Sequence, residues 1–316
     1  MRQPTVLVTG GEGFIGSRLV ELLRHEGNRV VVVDSLRWGD GRLASRIGGD
    51  SVHLLRGDIR NGDVMRQAAE MGPFKAVYHL AALHYIPYCA AHPAETLSVN
   101  VVGTQTVLDA LKSTPPRHFV FVSTGDVYAP RESPHSEDDQ LRPFSIYGIS
   151  KLFGEQLITA AAREFEHTFF KVARLFNVFG SGETNPHVIP EIIAQIAHGD
   201  RIRLGNTWPR RDYIHVRDVA RALLALAAHH GGNQCEYFNV GTGVASSVDD
   251  ILMTLRRILD RDLEVGIEES RVRKVERPHL QASIKKIVQL TGWTPLSSLE
   301  AGLREVCEAH ALVAST

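Results

Sequence analysis

Residues 5–23, "TVLVTGGEGFIGSRLVELL", run from a short apolar strand through a glycine loop into a helix without interruption. No other stretch of the chain restricts the possible folds as tightly. Gly11, Gly13 and Gly16 have the GxGxxG spacing, and Gly10 opens an overlapping GxxGxxG. The early glycines allow a tight turn and close approach of a pyrophosphate, which the free amides and dipole of the helix N-terminus favour. Gly16 lets the helix pack against the strand. A glycine triplet alone marks only a turn, but between a strand and a helix it predicts a dinucleotide-binding loop.

The next apolar run, "RVVVVD", ends in Asp34, 18 residues after Gly16. A carboxylate there accepts hydrogen bonds from a ribose diol and repels a 2'-phosphate, so NAD is expected rather than NADP. Arg37 is the one residue nearby that could favour the phosphate; a solvated loop arginine is the plainer reading. Asp58, in "RGDI", is either an adenine contact or a turn-capping aspartate.

Apolar runs rich in β-branched and aromatic residues recur as "TVLVTG", "RVVVVD", "VHLLRGD", "AVYHLAA", "HFVFVST", "TFFKVARL" and "EYFNVG". Helical periodicity appears at 15–26, 95–112, 145–165, 189–198, 216–229, 247–259 and 297–309. Continuously apolar strands alternating with helices predict a parallel sheet covered on both faces and joined by right-handed crossovers. The expected fold is α/β, a Rossmann-like doubly wound parallel sheet with a smaller, interleaved C-terminal substrate domain. Residues 1–176, with later contributions near 212–242, would bind NAD; residues 177–316 would mainly hold the substrate.

With 43% hydrophobic and 22% charged residues and a formal net charge of −1, the chain has neither the basic excess of a nucleic-acid binder nor the apolar runs of a membrane protein. Three scattered cysteines without a CxxC argue against disulfides and a zinc site, and point to the cytoplasm. The fifteen histidines, His79, His84, His229 and His230 among them, lack metal-site spacing, so no metal is expected.

"STGDVY" (123–128) closes a buried strand with a hydroxyl, a glycine and a carboxylate, and "SIYGISK" puts Tyr147 and Lys151 four apart on one helix face, 23 residues after Thr124. Together with "TGGEGFIG", "HLAAL", "NVVGT", "RLFNVFG", "RRDYIHVRDVARA", "FNVGTG" and "GWTP", in this order, the chain resembles the extended short-chain dehydrogenase/reductase family, in particular its nucleotide-sugar epimerase and dehydratase group. The resemblance spans nearly the whole chain.

It implies that Tyr147 is the general base, that Thr124 relays a proton at the reacting hydroxyl, and that Lys151 bonds the nicotinamide ribose. Bringing a tyrosine from a pKa near 10 to neutrality takes ~4 kcal/mol. One cation about 4 Å away at an effective dielectric of ~20 supplies roughly that, and Lys151 is such a cation. The implied cofactor contacts are Gly10, Gly13, Phe14, Ile15 and Gly16 in the first loop and Asp34, Asp58 and Ile59 at the adenosine end. Leu80, Ala81, Ala82 and Asn100 join Tyr147 and Lys151 further along.

For a nucleotide-diphosphate sugar, the resemblance suggests Asn177 near the diphosphate and Arg211 on the phosphates, since a planar guanidinium fork bonds two oxygens at once. Asp212 and Asp218 are the alternative partners of Arg211. The family's second phosphate arginine is Arg273 or Arg277, and distance to Trp293 favours Arg273. Val188, with 188–190 and 201–204, would face the base, and His84 opens "HYIPYC", a segment that would touch coenzyme and sugar. The implied reaction is C4 epimerisation through transient oxidation, with NAD regenerated each turnover. The alternative is a dehydratase or decarboxylase that begins with the same oxidation and uses Asp126 as acid or base. Gly125 stands where some dehydratases have a further acid, and Asp126 itself is either catalytic or a turn aspartate. A homodimer through the helices near 95–112 and 145–165 is also implied.

Overall fold

A computed structural model describes residues 3–38, 41, 43, 51–272 and 277–314. Its centre is a parallel sheet of seven strands: β1 (Thr5–Thr9), β2 (Arg29–Asp34), β3 (Val52–Arg56), β4 (Ala76–His79), β5 (His118–Thr124), β6 (Phe169–Leu175) and, after a long excursion, β10 (Cys235–Val240). The order across the sheet is β10-β6-β5-β4-β1-β2-β3. Strand order reverses at β1, which pairs in parallel with β2 on one side and β4 on the other. Ligands of such sheets bind in the crevice beyond the carboxyl ends of the strands at that switch point. All seven strands are those expected from the apolar runs.

Successive side chains of a strand face opposite ways, so each strand feeds two cores. Val6, Val8, Val30 and Val32 join Leu19, Val20, Val219 and Leu223 on one face. Leu7, Val31 and Val33 join Met65, Leu108 and Ile158 on the other. The helix Phe14–His25 shows how the pattern works: Gly16, Leu19, Val20 and Leu23, spaced three and four apart, form its buried stripe. Each large aliphatic side chain buried this way contributes about 1.5–3 kcal/mol. Glu26 ends the helix, and Gly27 at φ +79° turns the chain into β2.

The excursion between β6 and β10 carries β7 (Asn177–Phe179), β8 (Arg201–Leu204) and β9 (Arg210–His215). They are followed after β10 by β11 (Ala245–Ser246), β12 (Glu264–Ile267) and β13 (His279–Leu280). β9 pairs with β7, β11 and β13, and β8 pairs with β12. A third core, built on Ile192, Ile196, Ile251, Leu255 and Leu303, holds these elements to the helices Val188–Ile196, Val248–Leu259 and Leu299–Ala309. The smaller unit is therefore interleaved with the last sheet strand.

The helix expected at 95–112 is three pieces in sequence: Pro93–Leu97, a wide π turn at Ser98–Val102, and Gly103–Leu111. The π turn occurs where Asn100 points inward to bond backbone and Ser150, and π bulges of this kind accompany such local demands. Among the described residues, no helix is long and apolar enough to cross a membrane.

Candidate active site

A cavity of about 530 Å³ opens at the carboxyl ends of the sheet, within the usual range for small-molecule sites. It extends from the first glycine loop, past the ends of β4 and β5, to β7 and the start of the helix Val188–Ile196.

The glycine loop leaves its helix start open. Gly13 caps Phe14–His25 without a side-chain hydrogen bond, so the first amides stay available to an anion. Gly10 has φ +74°, and a Cβ there would lie 2.8 Å from the Ala81 nitrogen. A Cβ on Gly16 would lie 2.0 Å from the Gly10 carbonyl oxygen. Only glycine meets either demand. Gly10, Gly13, Phe14, Ile15 and Gly16 all line the cavity.

Asp34 lines it too, at the end of β2. Its Oδ2 accepts from the Glu12 amide at 3.0 Å and its Oδ1 from the Leu36 amide at 2.8 Å. Burial raises its pKa while these two amides oppose the rise. Arg37 is committed elsewhere: Nη1 donates to Glu95 Oε1 at 2.6 Å and Nη2 donates to the Tyr88 hydroxyl, which itself donates to Glu95 Oε2 at 2.5 Å. Asp58 lines the cavity with its carboxylate on Arg60, at 2.6 Å from Nη2, and Arg60 holds the Asp58 pKa below its ordinary value. Ile59 is buried beside it. These residues fit an adenosine with a free ribose diol.

Leu80, Ala81 and Ala82 continue the wall, but Asn100 does not reach it. Its buried side chain accepts from the Leu83 amide and donates to the Leu83 carbonyl, both at 2.8 Å, and donates to Ser150 Oγ at 2.9 Å. Asn100 thus fixes the 81–84 passage from behind.

The helix Ile146–Ala161 brings up Tyr147 and Lys151. Ser145 caps it, accepting from the Gly148 amide at 3.0 Å. Gly154 lets it sit directly on β5: a Cβ there would lie 2.5 Å from Phe121 Cζ. Tyr147 and Lys151 meet Thr124 and Asp126 in the cavity. The Thr124 side chain lies near enough to the Tyr147 hydroxyl to favour its ionised form, and Thr124 Oγ1 accepts from the Asp126 amide at 3.2 Å. Burial first, then the Asp126 carboxylate, push the Tyr147 pKa above its ordinary value, with the Thr124 side chain opposing them.

Lys151 does not stand simply as the cation that ionises Tyr147. Its ammonium lies 4.8 Å over the Phe121 ring, and burial pulls its pKa down to about 8 against the attraction of Glu155. Glu155 is itself buried, accepting from Ser123 Oγ at 2.6 Å and from Arg174 Nε and Nη2 at 3.0 and 2.8 Å. Arg174 continues to the Tyr128 hydroxyl at 2.9 Å. A fully bonded ion pair therefore underlies the end of β5 and anchors both elements that carry the reacting groups.

"STGDVY" turns out to be tied from below as well. Arg277 is buried and donates to the carbonyls of Gly125 at 3.3 Å, Asp126 at 3.5 Å and Tyr128 at 2.8 Å. A guanidinium spent this way clamps the loop, which removes Arg277 as the phosphate alternative. Arg273 lies outside the described residues. A Cβ on Gly125 would be 3.3 Å from the Phe176 ring, so that position has little room for a longer side chain.

Asn177, Val188 and Arg211 line the far part of the cavity. Arg211 Nη1 donates to the Arg210 carbonyl at 2.9 Å. The two carboxylates considered as its partners are occupied: Asp212 by Thr242, Gly243 and Ala282, and Asp218 by Arg221, Leu296 and Ser297. Leu204 of β8 also reaches the cavity. His84 lines it and bonds Asn185, whereas His79 is buried between Thr9 Oγ1 at 2.6 Å and Thr104 Oγ1 at 2.9 Å as a packing residue.

Among the lining residues that escaped sequence reasoning are the polar ones Glu183, Asn185, His187 and Arg271. The first three form "ETNPH" after β7, where a concentration of polar groups just before a helix was the available signal.

The family model "NAD dependent epimerase/dehydratase family" matches residues 6–241. The chain is 31% identical over 307 residues to the UDP-glucose 4-epimerase of Corynebacterium glutamicum, covering 92% of this chain and 90% of that protein. The structure of the Thermotoga maritima UDP-glucose 4-epimerase with UDP-glucose superposes with TM-score 0.87 at 29% identity, covering 97% of this chain and 98% of that one. MoeE5 in complex with UDP-glucuronic acid and NAD superposes with TM-score 0.86 at 29% identity, covering 97% and 99%. With a glycine loop, an Asp34 acid and a Thr124–Tyr147–Lys151 cluster in one cavity, the chain belongs to the NAD dependent epimerase/dehydratase family.

Proposed function

We propose that this protein is an NAD-dependent nucleotide-sugar 4-epimerase, and that Tyr147 is its base. The observation that carries the reading is the meeting of Thr124, Asp126, Tyr147 and Lys151 in a cavity continuous with the open glycine loop. Similarity to UDP-glucose 4-epimerases over most of the chain supports it.

Tyr147 takes the proton of the sugar C4 hydroxyl, and the Thr124 hydroxyl, beside it in the cavity, steadies the developing oxygen charge. NAD, when bound, would supply a reversible hydride acceptor and a positive charge. Lys151 holds the nicotinamide ribose. Asn177 and Arg211 hold the sugar diphosphate, the arginine by its two-pronged fork. Such anchoring leaves the sugar free to turn within the wide cavity. The cramped Gly125 position withholds the additional acid that some dehydratases use, which favours epimerisation over elimination.

Tyr147→Phe tests the base directly. Turnover of a nucleotide-sugar substrate should fall by roughly 10²–10⁴, the usual contribution of general acid–base catalysis, while NAD binding persists. Undiminished turnover would overturn the assignment. A homodimer through the helices that carry Val102 and Phe153 fits these two large apolar side chains, both about half exposed; a monomer in sedimentation would exclude it.

A further inference from the structure

We infer that a polar chain built on Glu183 makes the sugar half of the cavity selective for neutral hexoses and hostile to uronic acids. This rests on the nucleotide-sugar reading above. His84 Nε2 accepts from Asn185 Nδ2 at 3.2 Å. Asn185 then donates from its backbone nitrogen to Glu183 Oε1 at 2.9 Å, and Glu183 Oε2 lies 3.5 Å from His187 Nδ1. All four residues line the cavity.

The chain shares one cavity with the reacting groups, since His84, Glu183, Asn185 and His187 line it together with Thr124, Tyr147 and Lys151. Burial, with help from His187 and Lys151, holds His84 down to about 4, so it brings no positive charge at neutral pH. Burial works against ionisation of Glu183, but the nearby His187 ring and the Asn185 amide outweigh it and hold its pKa below the ordinary value. Asp126 is a second carboxylate in the same cavity. Among the described residues the cations of the lining are Arg37, held by Glu95, and Lys151, Arg211 and Arg271, with the His187 ring a further one when protonated. Arg271 is paired with Glu191 and Glu268, and Lys151 and Arg211 are assigned above to cofactor and diphosphate.

A sugar hydroxyl donates to a carboxylate, so hydroxymethyl or other neutral C5 substituents suit this wall. A C5 carboxylate would meet like charge there, and beside partly buried groups repulsion exceeds its value in bulk solvent. MoeE5, of the same fold, is in complex with UDP-glucuronic acid in one structure and with UDP-glucose in another, so both sugars are fair probes of the wall.

Calorimetric affinities of the NAD-loaded protein for UDP-glucose and UDP-glucuronic acid test the inference without depending on turnover. The wild type should bind UDP-glucose at least tenfold more tightly. Glu183→Gln should bring the two affinities to within about threefold, and Glu183→Asp, which keeps the charge, should retain the preference. Equal affinities in the wild type, or a ratio unchanged by Glu183→Gln in a folded protein, would overturn it. So would a failure to bind either sugar, which would remove the nucleotide-sugar reading as well. The expected ratios without any epimerisation would leave this inference standing and defeat only the assigned reaction.

Discussion

Arg277 donates from Nη2 to the Tyr128 carbonyl at 2.8 Å, joining a residue near the C-terminal end of the chain to the loop that carries Thr124 and Asp126. Two further carbonyls of the same loop share its guanidinium. Hydrogen bonds from a charged donor contribute about 1.5–3 kcal/mol each when buried. Arg277→Ala should therefore cost about 3 kcal/mol of stability, measured by urea unfolding, and lower kcat as the loop loosens. A loss confined to nucleotide-sugar affinity, with stability unchanged, would instead make Arg277 a phosphate ligand.

Lys151 gives a pH dependence with a definite sign. Burial lowers its pKa from an ordinary value of 10.5 to about 8. Between those values the unfolded chain binds more protons at this site than the folded one, so this site makes stability rise with pH. Below pH 8 the buried charge costs about 3 kcal/mol at most. In NAD-free protein, Lys151→Met should accordingly be more stable relative to wild type at pH 7 than at pH 10. A difference constant with pH would show that the lysine is not so perturbed.

The clasp of Arg37 by Glu95 and Tyr88 bears on cofactor choice. Held there, the guanidinium is not free to receive a 2'-phosphate, and Asp34 repels one. Glu95→Gln releases it, and the affinity ratio of NADP to NAD should rise roughly tenfold, the value of one charge-assisted hydrogen bond. Adding Asp34→Ser should raise it further. An unchanged ratio in both variants would show that Arg37 does not face the ribose.

The sheet was legible because its strands are covered on both faces and so appear as unbroken apolar runs, from "VLV" in β1 to "EYF" in β10. The glycine loop, Asp34 and the Tyr147–Lys151 pair were legible because their spacing within one element fixes their geometry. What escaped was of two kinds. The π turn depends on Asn100 reaching Leu83, seventeen positions earlier, and Arg277 reaches back about 150 positions to residues 125–128. Local pattern does not encode such partners. The Glu183–His187 chain sits in a loop, where polar residues ordinarily face water, and only the fold brings it against His84.

The central claim is that C4 of a nucleotide sugar is oxidised and reduced within one closed cycle. Proton NMR of the purified protein with UDP-glucose and related UDP-, dTDP-, GDP- and CDP-sugars in heavy water tests it most directly. The account predicts interconversion of axial and equatorial C4 hydroxyls in at least one of them, with no deuterium carried into the product at C4. A keto or unsaturated product, or deuterium at C4, would contradict it.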